Sequence, residues 1–205
     1  MEEPLKSAPP AATADILRKD GYTVNFANCG VSGSTTVDQL PSTNTIFQKV
    51  IAAADTMATK QGQLIFSIML GTNDSAESGP NGAPVSPQTY GDNMKAIISK
   101  LIALYPSCKI VINHPIWYSE TTQNNAVYLA PGLARLQSYF PMIDNFDDQK
   151  QIFTGDKKAF GFFEKNYKQY YVVEHGAKGA FYLHPNLSGA YKLGEFWSAA
   201  IVAIL

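Results

Sequence analysis

Apolar and polar positions along this chain follow the pattern of strands that alternate with helices. Pro9 opens a helical pattern that ends at Gly21, with proline at the start and glycine past the end. Residues 24–27 and 63–70 are apolar runs of strand length, and residues 46–57 carry a helical pattern between them. The second run is apolar enough to be buried on both faces, as strands of parallel sheets are.

The same alternation continues through the second half of the chain. Ser86 precedes a proline and a run of apolar residues at helical spacing, which predicts a capped helix. Residues 109–113 supply the next strand, and residues 187–205 supply the last helix. Strands separated by helices predict an α/β fold with a parallel sheet covered on both faces, a doubly wound three-layer α/β/α sandwich. We expect a single domain over residues 1–205.

Polar loops follow three of the predicted strands. They are residues 28–34, 71–75 and 113–118. Because ligands of such sheets bind outside the carboxyl ends of the strands, these loops are expected to share one rim. His184, just before the last helix, joins them if that helix begins at the same rim.

These segments resemble three of the four motif blocks of the SGNH, or GDSL-like, hydrolase family, whose members are esterases with a flavodoxin-like fold. Residues 28–36 (NCGVSGSTT) are similar to the second block, and Gly33 aligns with the glycine that gives a backbone N–H to the oxyanion hole. Residues 71–74 (GTND) resemble the third block, so the resemblance assigns the side-chain N–H of Asn73 to the same role. Residues 184–186 (HPN) resemble the end of the last block, which implies that His184 is the general base.

The chain departs from the family pattern at two places. No Gly-Asp-Ser or comparable serine-bearing strand end occurs in the 205 residues, so no nucleophile is identified. Phe181 stands three residues before His184, where the family has the aspartate that orients the imidazole. A serine and histidine can work as a pair if a backbone carbonyl holds the ring. We therefore expect an N-terminally incomplete esterase domain that lacks its central strand, the one between residues 24–27 and 63–70.

Ester hydrolysis explains why these residue types are needed. A serine hydroxyl that attacks an ester needs a base that titrates near neutrality, and His184 is the strong candidate. Fixed N–H donors for the developing oxyanion are typically worth about 3 to 4 kcal/mol each. Glycine allows close backbone approach at Gly33, and asparagine donates without charge at Asn73.

Structural interpretations stand beside the catalytic ones. Gly33 alone is a turn glycine, Asn73 a loop former, and His184 the start of a helix. His114 and Trp117 follow a predicted strand and are candidate substrate-binding residues, although a loop histidine beside proline is more often structural.

Other residues are read as structural. Asp74 belongs to the loop, His175 to a surface loop, and residues 160–171 to a packed amphipathic helix. Cys29 and Cys108 are expected to be buried thiols, and Cys29 is not expected to act as a substitute nucleophile.

Composition and charge narrow the classes of partner. The formal net charge is -1 and the basic residues are scattered, which gives no reason to expect nucleic acid or an anionic membrane surface. The chain carries no phosphate-binding glycine motif and no zinc-ligand spacing, so neither a metal nor another cofactor is implied. The expected partner is a small-molecule ester or an acylated carbohydrate. We expect a soluble protein, secreted or periplasmic if a leader preceded Met1; oligomeric state and compartment stay open.

Three functions follow from these patterns. The first is a serine-type esterase, similar to family members that remove acetyl groups from carbohydrates. The second is a non-catalytic SGNH-fold protein that binds a sugar or acyl ligand, which the missing serine and Phe181 favour. The third is a flavodoxin-like signalling or nucleotide-binding domain, which would need acidic or phosphate-binding loops that the chain does not show.

Overall fold

A parallel sheet forms the centre of the fold. The computed structural model describes residues 8–42 and 45–205. Within them the strands β1 (Ile65–Ile68), β2 (Lys109–Ile112) and β3 (Ile152–Thr154) pair in the order β1-β2-β3, all parallel. Two further strands, β4 (Glu174–Gly176) and β5 (Gly179–Phe181), form an antiparallel hairpin outside that sheet.

Seven helices accompany these strands in the described residues, and they account for most of the regular structure. They are α1 (Pro9–Lys19), α2 (Thr45–Ala58), α3 (Pro87–Leu104), α4 (Leu129–Ser138), α5 (Phe140–Asp144), α6 (Ala159–Tyr170) and α7 (Leu187–Val202). Helices α1 and α7 pack against each other, and α7 also contacts α6. Helices and a parallel sheet together make a three-layer α/β fold, as the alternating pattern predicts.

Local sequence signals explain where the main helices begin. Ser86 is the N-cap of α3, and its hydroxyl accepts a hydrogen bond from the Thr89 N–H at 3.1 Å. Asn186 caps α7 in the same way, with its side-chain oxygen accepting from the Gly189 N–H at 2.9 Å. Because Asn186 is the cap, His184 lies two residues before the cap of α7 and outside the helix.

The core lies between β2 and the helices that cover it. Ile110, Val111 and Ile112 of β2 are buried, as befits the middle strand of the sheet. One face of α3 supplies its large apolar side chains at helical spacing, namely Tyr90, Met94, Ile97, Ile98 and Leu101. Burial of these side chains stabilises the sheet, and parallel pairing places the carboxyl ends of its strands at one edge.

The predicted strand at residues 24–27 is wrong. No strand is assigned there, and Phe26 is only half-buried. Arg18 of α1 holds this segment through two hydrogen bonds to the Val24 carbonyl, at 2.8 and 3.2 Å. Strands depend on hydrogen bonds to a neighbouring chain, and none of the described segments lies beside residues 24–27 in that way.

The prediction for residues 63–70 is correct in type but wrong in burial. The strand covers only Ile65–Ile68, and its side chains are half-buried except Ser67, which is exposed. β1 pairs with β2 on one side, and no described strand pairs with its other side. An edge strand is less buried than a central one, which accounts for the difference.

Smaller corrections concern three further segments. His175 lies in β4 rather than in a loop, although it is exposed as expected. Cys29 is half-buried rather than buried, whereas Cys108 is buried, and both thiols are free. The aromatic segment forms α6, which confirms the predicted amphipathic helix and ends at Tyr170.

Candidate active site

Two loops of the candidate site are joined side by side by hydrogen bonds. The side-chain amide of Asn73 donates to the Ser34 carbonyl at 2.9 Å. One residue further along one loop and two along the other, the Asp74 carboxylate accepts from the Thr36 N–H at 2.9 Å and also from the Thr36 hydroxyl. The structure therefore brings Asn73 beside the loop that carries Gly33, as the rim argument predicts.

Gly33 lies in the part of this loop that faces outward. Its backbone φ is +78°, a conformation that residues other than glycine rarely adopt. It is exposed, and a Cβ built on it would meet nothing within 4 Å. The requirement for glycine is thus conformational, and the space outside the loop is open to an approaching ligand.

Tyr128 fixes the orientation of the Asn73 side chain. Its hydroxyl donates to the side-chain oxygen of Asn73 at 2.8 Å. With the oxygen accepting from Tyr128 and one amide hydrogen donated to Ser34, the assignment of oxygen and nitrogen is determined. One N–H of Asn73 remains for another acceptor. Sequence reasoning missed Tyr128, because it is 55 residues from Asn73 along the chain.

Asp74 acts as a structural anchor, as expected from the sequence. It is fully buried, and burial raises its pKa, while the hydrogen bonds from Thr36 act in the opposite direction. Asn93 of α3 donates to the Thr36 hydroxyl at 2.9 Å, which extends the network into the core. Within the described residues, Oδ2 of Asp74 has no hydrogen-bond partner.

His184 is paired with a carboxylate that sequence reasoning did not identify. Both carboxylate oxygens of Glu174 lie 3.0 Å from Nδ1 of His184, and one of them accepts from the His184 backbone N–H at 3.2 Å. An ionised carboxylate only accepts hydrogen bonds, so Nδ1 is a protonated nitrogen, and in the neutral form of the ring the lone pair lies on Nε2. The ring is largely exposed, with 59% of its surface accessible.

The family position for this carboxylate is occupied by a core residue. Phe181 is 1% exposed and belongs to the hydrophobic core. The sequence left open what replaces the missing aspartate, and the structure places Glu174, ten residues before His184, at Nδ1 of the imidazole. The sequence signal that could have identified Glu174 is the pair of glycines, Gly176 and Gly179. They flank a short turn that brings the chain back towards His184.

Electrostatics connect the His184 pair to the Asn73 loop. Burial raises the pKa of Tyr128, and the nearby negative charge of Glu174 raises it further. Tyr128 therefore lies within the field of the carboxylate that holds His184 and in contact with Asn73. Convergence of His184, Asn73 and the Gly33 N–H around one hollow stays a prediction.

His114 occupies a buried structural position. It is 5% exposed, its Nε2 lies 3.0 Å from Oδ1 of Asp144, and its ring stacks on Phe140 with centroids 4.3 Å apart. Burial lowers the pKa of His114, so its contact with Asp144 is a hydrogen bond from a neutral ring at pH 7. A role in substrate binding remains a prediction, and this position does not favour it.

Trp117 lies at a shallow depression near the His184 segment. It is 9% exposed and packs against Tyr167, with ring centroids 5.3 Å apart. Aromatic rings, hydroxyls and two carboxylates line the depression, namely Trp117, Ser119, Glu120, Thr121, Glu164, Tyr167 and Tyr182. Tyr182 follows the end of β5 and lies two residues before His184. Substrate contact at Trp117 likewise remains a prediction.

Metal-binding and membrane-spanning features were sought in residues 8–42 and 45–205. In these two ranges, no three His, Cys, Asp or Glu side chains are grouped so as to hold a metal ion. None of their helices is both long and apolar enough to cross a bilayer.

An exposed histidine held by a carboxylate, with an oriented amide on a neighbouring loop of an α/β fold, is an arrangement of acyl-transfer hydrolases. The family comparison agrees. Residues 5–191 match the model of the GDSL-like Lipase/Acylhydrolase family, and the chain belongs to that family. It is thus an esterase-type hydrolase by resemblance. No curated protein matches the chain.

Solved structures of esterases share the fold. A carbohydrate acetylesterase from Sinorhizobium meliloti superposes with a TM-score of 0.63 at 16% identity, over 100% of this chain and 89% of that one. The aryl esterase of M. smegmatis gives 0.61 at 17% identity, over 98% and 86% of the two chains. A putative arylesterase from Agrobacterium tumefaciens gives 0.58 at 15% identity, over 100% and 90%.

Proposed function

We propose that this domain hydrolyses small esters or acylated carbohydrates by serine chemistry, with His184 as the base and Asn73 and Gly33 as oxyanion donors. The observation that carries the proposal is the contact of Nδ1 of His184 with Glu174, which leaves Nε2 free to take a proton. The fixed orientation of Asn73 beside the Gly33 loop supports the oxyanion roles.

The reaction follows from these positions. A serine hydroxyl gives its proton to Nε2 of His184 while its oxygen bonds to the ester carbonyl carbon. The carbonyl oxygen becomes negative and accepts hydrogen bonds from Asn73 and from the Gly33 backbone. The imidazolium, stabilised by Glu174, returns the proton to the leaving alcohol as the ester bond breaks. Water then repeats the sequence on the acyl-serine and releases the acid.

The serine itself is proposed to lie on a strand outside the 205 residues. No Gly-Asp-Ser strand end occurs in the sequence, and β1 has one side without a described partner. A strand that pairs there would end at the same rim as the Asn73 loop, because parallel strands share their direction.

Features at the depression near Trp117 support a carbohydrate as the alcohol part of the ester. Aromatic faces stack on the C–H surface of sugars, and the carboxylates of Glu120 and Glu164 accept hydrogen bonds from hydroxyl groups. A structural neighbour from Sinorhizobium meliloti is a carbohydrate acetylesterase, which agrees with that substrate class.

The proposal is tested by hydrolysis of p-nitrophenyl acetate. The 205-residue chain is expected to show no turnover above a His184→Ala control, and no labelling by a fluorophosphonate. A form extended by the coding sequence upstream of Met1 is expected to turn over the ester, with kcat falling by roughly 100-fold or more in His184→Ala. A stop codon directly upstream would rule out the intact esterase. Robust His184-dependent turnover by the given chain would place the nucleophile within it.

A non-catalytic binding protein is the second candidate. The lack of a serine-bearing strand end in the sequence favours it. It predicts that acetylated monosaccharides bind the chain, detected by saturation-transfer NMR, while the extended form leaves them intact. Hydrolysis of the bound sugar ester by the extended form would exclude this candidate.

A further inference from the structure

The β4–β5 hairpin places the carboxylate of Glu174 beside His184. Glu174 pairs with Phe181 across the hairpin, so the turn at Gly176–Gly179 brings the chain back to the segment that ends at His184. Its carboxylate contacts both Nδ1 and the backbone N–H of His184. Two contacts from one carboxylate fix the ring and the loop together.

Neighbouring loops hold this hairpin in place. A Cβ on Gly176 would lie 1.8 Å from the Gln123 carbonyl oxygen, so the hairpin backbone packs directly on that loop. The Thr121 hydroxyl donates to the Ala180 carbonyl at 3.0 Å, and the Ser119 N–H donates to the Tyr182 carbonyl at 2.9 Å. Glu174 is therefore presented by a packed element rather than by a free loop.

Burial distinguishes this pair from an incidental surface contact. The Glu174 side chain is 23% exposed, against 59% for His184. Exposed ion pairs contribute little because both side chains must be ordered in water. Here the carboxylate is the more buried partner and is carried by a packed hairpin, so the geometry of the ring is set by Glu174.

We infer that Glu174 is the positioning residue of His184 and takes over the role that an aspartate at position 181 has in the resembled family. The inference rests on the proposed function of His184 as a base. The hydrogen bond that Glu174 accepts from Nδ1–H keeps the ring in the tautomer whose Nε2 can remove a proton from a hydroxyl. Because Glu174 has this role, position 181 does not need a carboxylate and carries Phe181, which is part of the core.

The test reads the tautomer of His184 directly in the 205-residue chain. Long-range ¹H–¹⁵N correlation spectra of histidine-labelled protein, recorded at a pH where the rings are neutral, distinguish Nδ1–H from Nε2–H. Three histidines occur, and single substitutions assign them. We expect Nδ1–H to dominate for His184 in the unaltered chain, Nε2–H to dominate in Glu174→Gln, and Glu174→Asp to retain part of the Nδ1–H signal.

The matched control is Glu195→Gln. Glu195 is also half-buried, and its carboxylate pairs with Lys192. This control variant is expected to leave the His184 spectrum unchanged, and circular dichroism shows whether each variant folds. An Nε2–H ring in the unaltered chain, or an unchanged spectrum in folded Glu174→Gln, would overturn the inference. The readout needs no nucleophile, so a positive result stands even if the extended form fails to hydrolyse esters.

Discussion

The hydroxyl of Tyr128 donates to the side-chain oxygen of Asn73 at 2.8 Å, and this bond joins a buried aromatic residue to the loop that carries the predicted oxyanion donor. The amide of Asn73 is held from both ends, since its nitrogen donates to Ser34. Catalytic amides need such support because an amide that rotates freely loses the directionality on which transition-state stabilisation depends.

Removal of the Tyr128 hydroxyl tests whether it fixes the orientation of the Asn73 side chain. Tyr128→Phe is expected to lower the free energy of unfolding by about 1 kcal/mol, because the Asn73 oxygen loses its donor. The two N–H signals of the Asn73 side chain are expected to shift and exchange faster with water in ¹H–¹⁵N spectra. Tyr22→Phe, at a position 39% exposed, serves as the control and is expected to change neither property. Unaltered Asn73 signals in Tyr128→Phe would contradict the support.

Gly176 tests the packing of the hairpin. Gly176→Ala places a Cβ against the Gln123 carbonyl, so the backbone must move and the unfolding free energy is expected to fall by about 2 kcal/mol or more. The movement displaces Glu174 and is expected to shift the His184 ring signals. Gly161→Ala in α6 meets nothing within 4 Å and is expected to be neutral or stabilising by up to about 1 kcal/mol. Equal stability of the two variants, measured by urea unfolding, would disprove the close contact.

His114 predicts a pH dependence of stability. Burial lowers its pKa in the folded state, so between that value and the unfolded value of 6.5 the unfolded chain binds the proton preferentially. The contribution of neutral His114 to the stability of the fold is complete above pH 6.5, and it is lost as the pH falls through the pKa of the folded state. The free energy of unfolding, measured with urea, is therefore expected to be lower at pH 5 than at pH 7.5. This decrease is expected to be smaller in His114→Gln than in the unaltered chain. His175→Gln, at an exposed site, is expected to keep the full loss; the same pH response in both variants would argue against His114 as its source.

One side of β1 has no partner strand among residues 8–42 and 45–205, which predicts self-association. An edge strand is a template for pairing with another chain. We expect the 205-residue chain to aggregate with rising concentration, measured by light scattering. Ile65→Lys, which puts a charge on that strand, is expected to reduce the aggregation. Cooperative unfolding of a soluble monomer, with no effect of Ile65→Lys, would show that the edge is harmless.

The helices were the most predictable part of the fold. Their starts depend on local signals, such as the proline at Pro9, the Ser86 cap and the glycine at Gly21 with a φ of +91°. The buried strand β2 was equally clear, because its apolar run needs no information from distant segments. Residues 24–27 failed for the opposite reason, since strand formation depends on a partner that local sequence does not specify.

The candidate site was predictable only where a motif carries the residue. Gly33 and Asn73 belong to short motifs, and the structure brings their loops together as expected. Glu174 and Tyr128 were missed because each reaches the site through folding of a separate element. Three-residue strands such as β4 and β5 carry too short a pattern to be recognised from apolar periodicity.

The double engagement of Asn73 limits what the site accepts. Its oxygen already accepts a hydrogen bond from the Tyr128 hydroxyl, and one amide N–H donates to the Ser34 carbonyl, so one N–H of the side chain remains to donate to a ligand. Carbonyl and carboxylate oxygens can accept from that N–H, whereas an ammonium group has no lone pair to do so. By fixing which atoms of the amide are already engaged, the Tyr128 hydroxyl determines the direction in which this donor points.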